Sequence, residues 1–447
     1  MEQSVYMAGT ELEAGHHVQA LRSRMAVSCL EPPALLNVAK PGDLVLFYSE
    51  HFDRFREACI ELQRRRVATL YLLDGILEWR NAWENRSEEP ACPWTMRPVI
   101  SDVAACIGQS QARVLAGWGN FGRLEIVGVP RFEQQRLRYL SGELKPRNED
   151  GRFRLLVMTA KCPGFTPGQV EITKRSLRDL RDSLPRQLAD GRAVEVDWRL
   201  TAGLDQELQV ANRLNDLSGC ELAEILLDYD AVISTPSTAG LEAMLAGRPL
   251  AWLDYHGTPQ LTPAAWSIGH RDAIQRVIAE LASPPASKLV WQSQLLRDHV
   301  YLAESATERL TQLIQRMLEQ TKADVESGIP LRFPEGMLAP SRPVENRFEH
   351  AELYPAFKEF SERDSLIAKT EWAHARREIS HLQAELRQAN SELAEAHAIF
   401  EEIQKHPIAG PIVRLRQRLI DHWRNWRKEG DVAPAQAGVS EQGTPTP

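Results

Sequence analysis

Asp230-Ala-Val-Ile-Ser-Thr-Pro-Ser-Thr-Ala-Gly-Leu-Glu-Ala-Met-Leu-Ala-Gly-Arg-Pro-Leu-Ala-Trp-Leu253 is the stretch on which the fold turns. Ala231 to Ser234 reads as a short buried strand, and Leu250 to Leu253 as a second. Between them Pro236 has no N–H to donate, and Ser237 or Thr238 is a natural N-cap for the helix that follows. A helix starting at the carboxyl edge of a parallel sheet presents its free N–H groups and positive dipole end outward. That is where phosphate groups bind. Glu242 lies one turn inside the helix, within reach of ribose hydroxyls.

The same alternation of strand and helix extends to both sides. Upstream, Phe153 to Met158 reads as the first strand of this domain. The turn Lys161-Cys-Pro-Gly-Phe-Thr-Pro-Gly168, a helix to about Leu184 and the strand Ala193 to Trp198 come next. Downstream, helices from about Ala264 to Leu318 are expected to complete residues 151–327, the last of them crossing back to an earlier domain. That earlier domain, residues 41–150 with a charged linker at its end, begins with Leu44 to Tyr48 as a buried strand. Phe52 to Arg66 reads as an amphipathic helix with Phe55, Cys59 and Leu62 on one face, and Val67 to Leu73 as the next strand. A unit over Arg97 to Ile107, a helix near Ser110 and the strand Leu124 to Val129 complete it. Alternating strands and helices imply parallel sheets with right-handed crossovers. Residues 1–40 show weak periodicity and read as a loosely attached lead-in.

Composition narrows the class. The chain has 447 residues and a net charge of -8, against a general nucleic-acid binder. Its six cysteines, Cys29, Cys59, Cys92, Cys106, Cys162 and Cys220, lack the paired spacing of a zinc site or disulfide framework, which suits a reducing cytoplasm. No apolar run reaches the ~20 residues needed to cross a bilayer. Glu11, Glu13, His16 and His17 interrupt any signal-peptide core.

Beyond a Pro- and Arg-bearing linker at 328–345, the pattern changes. Trp372, Ala375, Ile379, Leu382, Leu386, Ala389, Leu393, Ala396, Phe400 and Ile403 step by three and four, the seam of a coiled coil within 346–405. The coiled coil predicts a homo-oligomer. Residues 406–428 place Ile412, Leu415, Leu419, Trp423 and Trp426 on one stripe, with arginines elsewhere. This basic amphipathic helix fits a peripheral contact with the inner face of the cytoplasmic membrane, or a continuation of the oligomer contact. Residues 429–447, rich in Ala, Gly, Pro, Ser and Thr, read as a disordered tail.

The run from Ser237-Thr238 into Leu241-Glu-Ala-Met244, then Gly247 and Pro249, resembles the donor-binding segment of GT-B-fold glycosyltransferases. Gly128-Val-Pro-Arg131 resembles the end of the first domain in capsule and teichoic-acid transferases. The element order over roughly residues 40 to 320 resembles the group of lipid-A disaccharide synthase, CDP-glycerol glycerophosphotransferases and UDP-N-acetylglucosamine 2-epimerase. The resemblance implies two Rossmann-like domains of GT-B type and a nucleotide-sugar donor. It also implies a lipid-linked or polysaccharide acceptor and no metal or other cofactor. Polyol-phosphate transfer and sugar-nucleotide epimerisation are alternatives on the same fold, and a non-enzymatic coiled-coil scaffold is a third reading.

Sugar transfer needs a cradle for the diphosphate and, for inversion, a base for the acceptor hydroxyl. Pro236, Ser237, Thr238, Ala239, Gly240 and Glu242 are the expected cradle. Lys161 and Arg199, each just after a strand, are placed to neutralise the leaving diphosphate, and Asp254 and His256 to line the pocket. The base is expected from the first domain. Asp74 ends a strand before Gly75, Glu78 shares its face if the segment is helical, and His51 follows the first strand.

Overall fold

A computed structural model describes residues 3–84, 96–120, 122–144, 150–214 and 221–338, with isolated positions between 388 and 420. The chain divides into two compact units, 1–367 and 368–447. The expected coiled coil, basic helix and tail lie, apart from those isolated positions, outside the described residues.

Two all-parallel sheets form the first unit. One contains β1 (Val5–Ala8), β2 (Ser28–Leu30), β3 (Leu44–Phe47), β4 (Ala68–Leu72), β5 (Val103–Cys106) and β6 (Leu124–Ile126), in the order β2-β1-β3-β4-β5-β6. The other contains β7 (Arg152–Met158), β8 (Ala193–Arg199), β9 (Ala231–Ser234), β10 (Leu250–Leu253) and β11 (Trp266–Ile268), in the order β11-β10-β9-β7-β8. Strands β3, β4, β5, β9 and β10 are buried along their whole length, as expected for sheets covered on both faces. These are two Rossmann-like domains, the fold class read from the sequence. Each strand order reverses once, between β1 and β3 and between β7 and β9. Those reversals are where open α/β sheets bind ligands, outside the carboxyl ends of the strands.

The first correction concerns residues 1–40. They are not a loose lead-in: β1 lies inside the sheet, paired on both sides, and supplies one half of its reversal point. The helix Glu11–Val18 after it starts with a capping box, in which Thr10 and Glu13 satisfy each other's backbone N–H.

The second correction concerns the end of the unit. Between the helix Thr238–Leu245 and the last helices the chain adds β11 as an edge strand, where only helices were expected. The helix Ala306–Glu326 does cross to the first domain. Leu310, Leu313, Ile314 and Met317 share a core with Val5, Met7, Leu44, Leu46 and Leu70, and Arg309 donates to the Ile126 carbonyl. Nor is the stretch after it a free linker as far as it is described. Leu331, Phe333, Met337 and Leu338 join the same core. The Met337 and Leu338 amides donate to buried Glu125 at 2.6 and 3.2 Å.

Candidate active site

A cavity of about 1270 Å³ opens between the two domains. Its walls come from the segments that leave the strands. Glu13, His16 and His17 follow β1; Tyr48, Phe52, Asp53 and Arg54 follow β3; Asp74 follows β4 and Arg131 follows β6. Lys161 follows β7 and Arg199 ends β8. The two sheets thus bring their carboxyl ends to one space, with the β1/β3 reversal of the first domain on one wall.

Asp74 is at the centre of the side-chain contacts. His17 Nδ1 lies 2.7 Å from Asp74 Oδ2, a close approach without hydrogen-bond alignment. The His17 ring stacks on Tyr48 with centroids 5.0 Å apart, and His16 packs on His17 at 3.8 Å. Arg131 reaches Asp74 from the other side, with Nε 3.7 Å from Oδ2 and Nη2 donating to the Asp74 carbonyl at 3.4 Å. Burial pushes the Asp74 carboxyl up, but His17, Arg131 and His16 outweigh it and hold the group below its usual range. Burial, then the neighbouring His17, pushes His16 down towards the neutral form.

His16, His17 and Asp74 bring three potential metal-ligand atoms within 4.8 Å of one another. Arg131 and Lys161 act on the same place and oppose a cation at His16. Glu13 on the wall is paired with Arg54 and Asp53 with Arg56, which leaves Arg131, Lys161 and Arg199 facing Asp74, an arrangement that favours an anionic ligand.

The other base candidates lie elsewhere. His51 is not part of the cavity wall. Its Nε2 faces Asn81 Nδ2 at 3.3 Å, and burial pushes it down to about 4. Glu78 faces a second, much smaller cavity of about 20 Å³, together with Arg80, Pro236 and Asp254. It pairs there with Arg80. Burial pushes its carboxyl up to about 7, with Arg80 opposing and Asp254 assisting. Arg80 also meets His256 Nε2 at 2.6 Å, and the His256 amide donates to Asp254 Oδ1. Burial, then Arg80, lowers His256 to about 3. Glu78, Asp254 and His256, expected at the site, form instead a neighbouring contact between the domains.

The helix Thr238–Leu245 starts as the sequence suggested, with Ser237 as extended N-cap, but no Ser237 side-chain bond caps it. Thr238 Oγ1 instead accepts from the Ile76 amide of the first domain at 3.2 Å. Gly240 packs so closely on the Trp252 ring that a Cβ would overlap it. None of Pro236, Ser237, Thr238, Ala239 and Gly240 lines the large cavity; Pro236 and Thr238 face the first domain instead. Glu242 is the link between the two places. Its Oε1 accepts from Arg131 Nη1 at 2.9 Å, and burial raises its carboxyl against the pull of Arg131 and Arg199.

Of the residues expected from sequence, Asp74, Lys161 and Arg199 line this cavity and Glu242 touches its Arg131, while His16, His17 and Arg131 also line it and were not among the expected residues. The signal for the histidines was present: Thr10-x-x-Glu13 marks a helix start directly after an apolar run.

No protein-family model matches the chain, and no curated protein matches it in sequence. Among solved structures, the wall teichoic acid polymerase TagF is 10% identical at a TM-score of 0.46, covering 72% of this chain and 89% of that one. The UDP-GlcNAc 2-epimerase of Methanocaldococcus jannaschii, solved with UDP-GlcNAc and UDP, is 8% identical at 0.47, covering 71% of this chain and all of its own. MnaA of S. aureus, solved with UDP, is 11% identical at 0.46, with 74% and full coverage. Matches at this level transfer neither residue roles nor a reaction. Among the described residues, no helix is long and apolar enough to cross a membrane.

Proposed function

We propose that this protein is an enzyme of GT-B type that transfers a sugar from a nucleotide-sugar donor to a saccharide or lipid-linked acceptor. The observation that carries the reading is the meeting of Arg131, Lys161 and Arg199 with the His17–Asp74 pair in one interdomain cavity. The basic side chains bind the donor diphosphate and balance the charge it gains on leaving. Glu242, which Arg131 ties to the cavity, is the group of the helix Thr238–Leu245 that meets the ribose. Asp74, positioned by His17, accepts the proton of the acceptor hydroxyl. The acceptor oxygen forms the new bond to the sugar carbon as the bond to the diphosphate breaks, and that electron pair stays on the departing phosphate oxygen.

The protein works on the cytoplasmic side, without a metal, in assembly of a surface polysaccharide. The heptads of residues 372–403 hold it as an oligomer, and the basic helix that follows rests on the membrane. Light scattering of the full chain and of a truncation after Ser341 tests the oligomer: equal monomeric masses at micromolar concentration would exclude it.

The reaction is tested by screening nucleotides and nucleotide sugars for a rise in melting temperature, then identifying what the hit releases in the presence of acceptor. Glycosyl transfer frees a nucleoside diphosphate and polyol-phosphate transfer a monophosphate. Epimerisation converts the sugar with no acceptor present. If no nucleotide or nucleotide sugar stabilises the protein, the enzymatic reading fails and the scaffold reading takes its place.

A further inference from the structure

We infer that Arg131 is a positioning residue through which the arriving donor diphosphate releases Asp74 to act as base. This rests on the transferase reading, but a different observation carries it. Arg131 is the one side chain seen to touch, among the described residues, both the Asp74 carboxylate and Glu242 of the donor helix. One arm of its guanidinium is fixed: Nη1 donates to Glu242 Oε1 at 2.9 Å, and the group lies over the Phe132 ring at 4.4 Å. The Asp74 side is looser, with Nε at 3.7 Å and Nη2 at 3.4 Å from the carbonyl. A guanidinium presents its donors as a planar fork, so a phosphate in the cavity replaces the weaker partner while the Glu242 arm stays in place. Arg131 remains about one-third exposed to the cavity, so a ligand can reach it.

The consequence is a change in what faces Asp74. Before a donor binds, it meets His17 and His16 from the helix Glu11–Val18 and Arg131 from the end of the first domain. Glu13 of the same helix and Asp53 and Arg54 after β3 share the cavity, as do Lys161 and Arg199 across it, and the Tyr71 phenol lies beneath in β4. Arg54 is occupied by Glu13, which leaves the basic side chains of Arg131, Lys161 and Arg199 on the wall to receive a phosphate. A bound diphosphate neutralises them together, and Arg131 is the one in contact with the carboxylate. Asp74 then becomes a stronger proton acceptor, and only when a donor is present to react.

The test uses inorganic pyrophosphate and UDP as probes with the full chain, and calorimetric dissociation constants as readout. Asp74 and the phosphates compete for Arg131, so Asp74→Asn should tighten pyrophosphate binding about three- to tenfold. In an Arg131→Gln background the same change should shift the constant less than about twofold. Arg131→Gln alone should weaken binding about tenfold, since bonds to charged groups are among the stronger ones. A merely structural Arg131 would not abolish the effect of Asp74→Asn. Should Arg131→Gln not fold, Arg131→Lys keeps the charge without the fork and should lose most of the coupling. An equal gain from Asp74→Asn in both backgrounds, or none with Arg131 present, overturns the inference and leaves the transferase reading standing. Failure of the unaltered protein to bind either probe overturns the inference, and the transferase reading falls with it only if the wider nucleotide screen is also negative.

Discussion

Asp74 and Glu78 leave the same strand four residues apart, and the structure gives them opposite surroundings. Asp74 faces a large cavity with His17 and Arg131 on either side and is held ionised. Glu78 faces a cavity barely large enough for one water, paired to a buried arginine, with its carboxyl pushed up to about 7. On pKa alone Glu78 resembles a working base more than Asp74 does. Space decides otherwise. A general base must meet the proton it removes, and only the Asp74 side has room for a donor and an acceptor. The Glu78 side contributes to holding the domains together, since Arg80 ties it to His256 of the second domain.

The largest way to break this comparison is Arg80→Ala. At pH 8, where Glu78 is ionised, it strands a buried carboxylate and should lower stability to denaturant by about 3 kcal/mol. Little change would mean that the Glu78 side is not structural. Next in size, Asp74→Asn should lower turnover about 100-fold or more without weakening nucleotide binding, while Glu78→Gln stays within about threefold. The reverse pattern in steady-state assays would exchange their roles.

A smaller effect separates the two by pH. The folded Glu78 carboxyl titrates above its unfolded value, so the stability it contributes is complete below pH 4.5 and fades as pH rises through about 7. Glu78→Gln removes that loss. The variant should therefore gain stability relative to the unaltered protein across that window, and parallel melting curves at pH 5 and pH 8 would contradict the assignment. Smallest is Glu242→Ala. Losing one hydrogen bond to a neutral ribose group, worth roughly 0.5–1.5 kcal/mol, should weaken nucleotide binding several-fold. Unchanged affinity by calorimetry would remove Glu242 from the donor site.

Local pattern was enough wherever an element is long or fully buried. The apolar runs of β3, β4, β7, β9 and β10, and the Ser-Thr turn into Leu241-Glu-Ala-Met244, fixed two parallel α/β domains and put Asp74, Lys161 and Arg199 at strand ends. Sequence could do this because burial on both faces of a sheet demands continuous apolar residues, and because the chain leaves every parallel strand at the same edge. Three things needed the tertiary structure. The pairing of β1 with β2 and β3, which no local pattern announces, makes the segment before β3 part of the sheet and brings His16 and His17 to Asp74. Pro and Arg content made the stretch from residue 328 look unattached, while two backbone amides on buried Glu125 hold its described part to the first domain. And the separate fates of Asp74, Glu78 and Glu242 depend on which cation each meets, Arg131 or Arg80. Arg80 is a near neighbour of Glu78 in sequence, but Arg131 lies 57 residues from Asp74 and 111 from Glu242, and neighbours that distant are chosen by the fold and leave no local pattern in the chain.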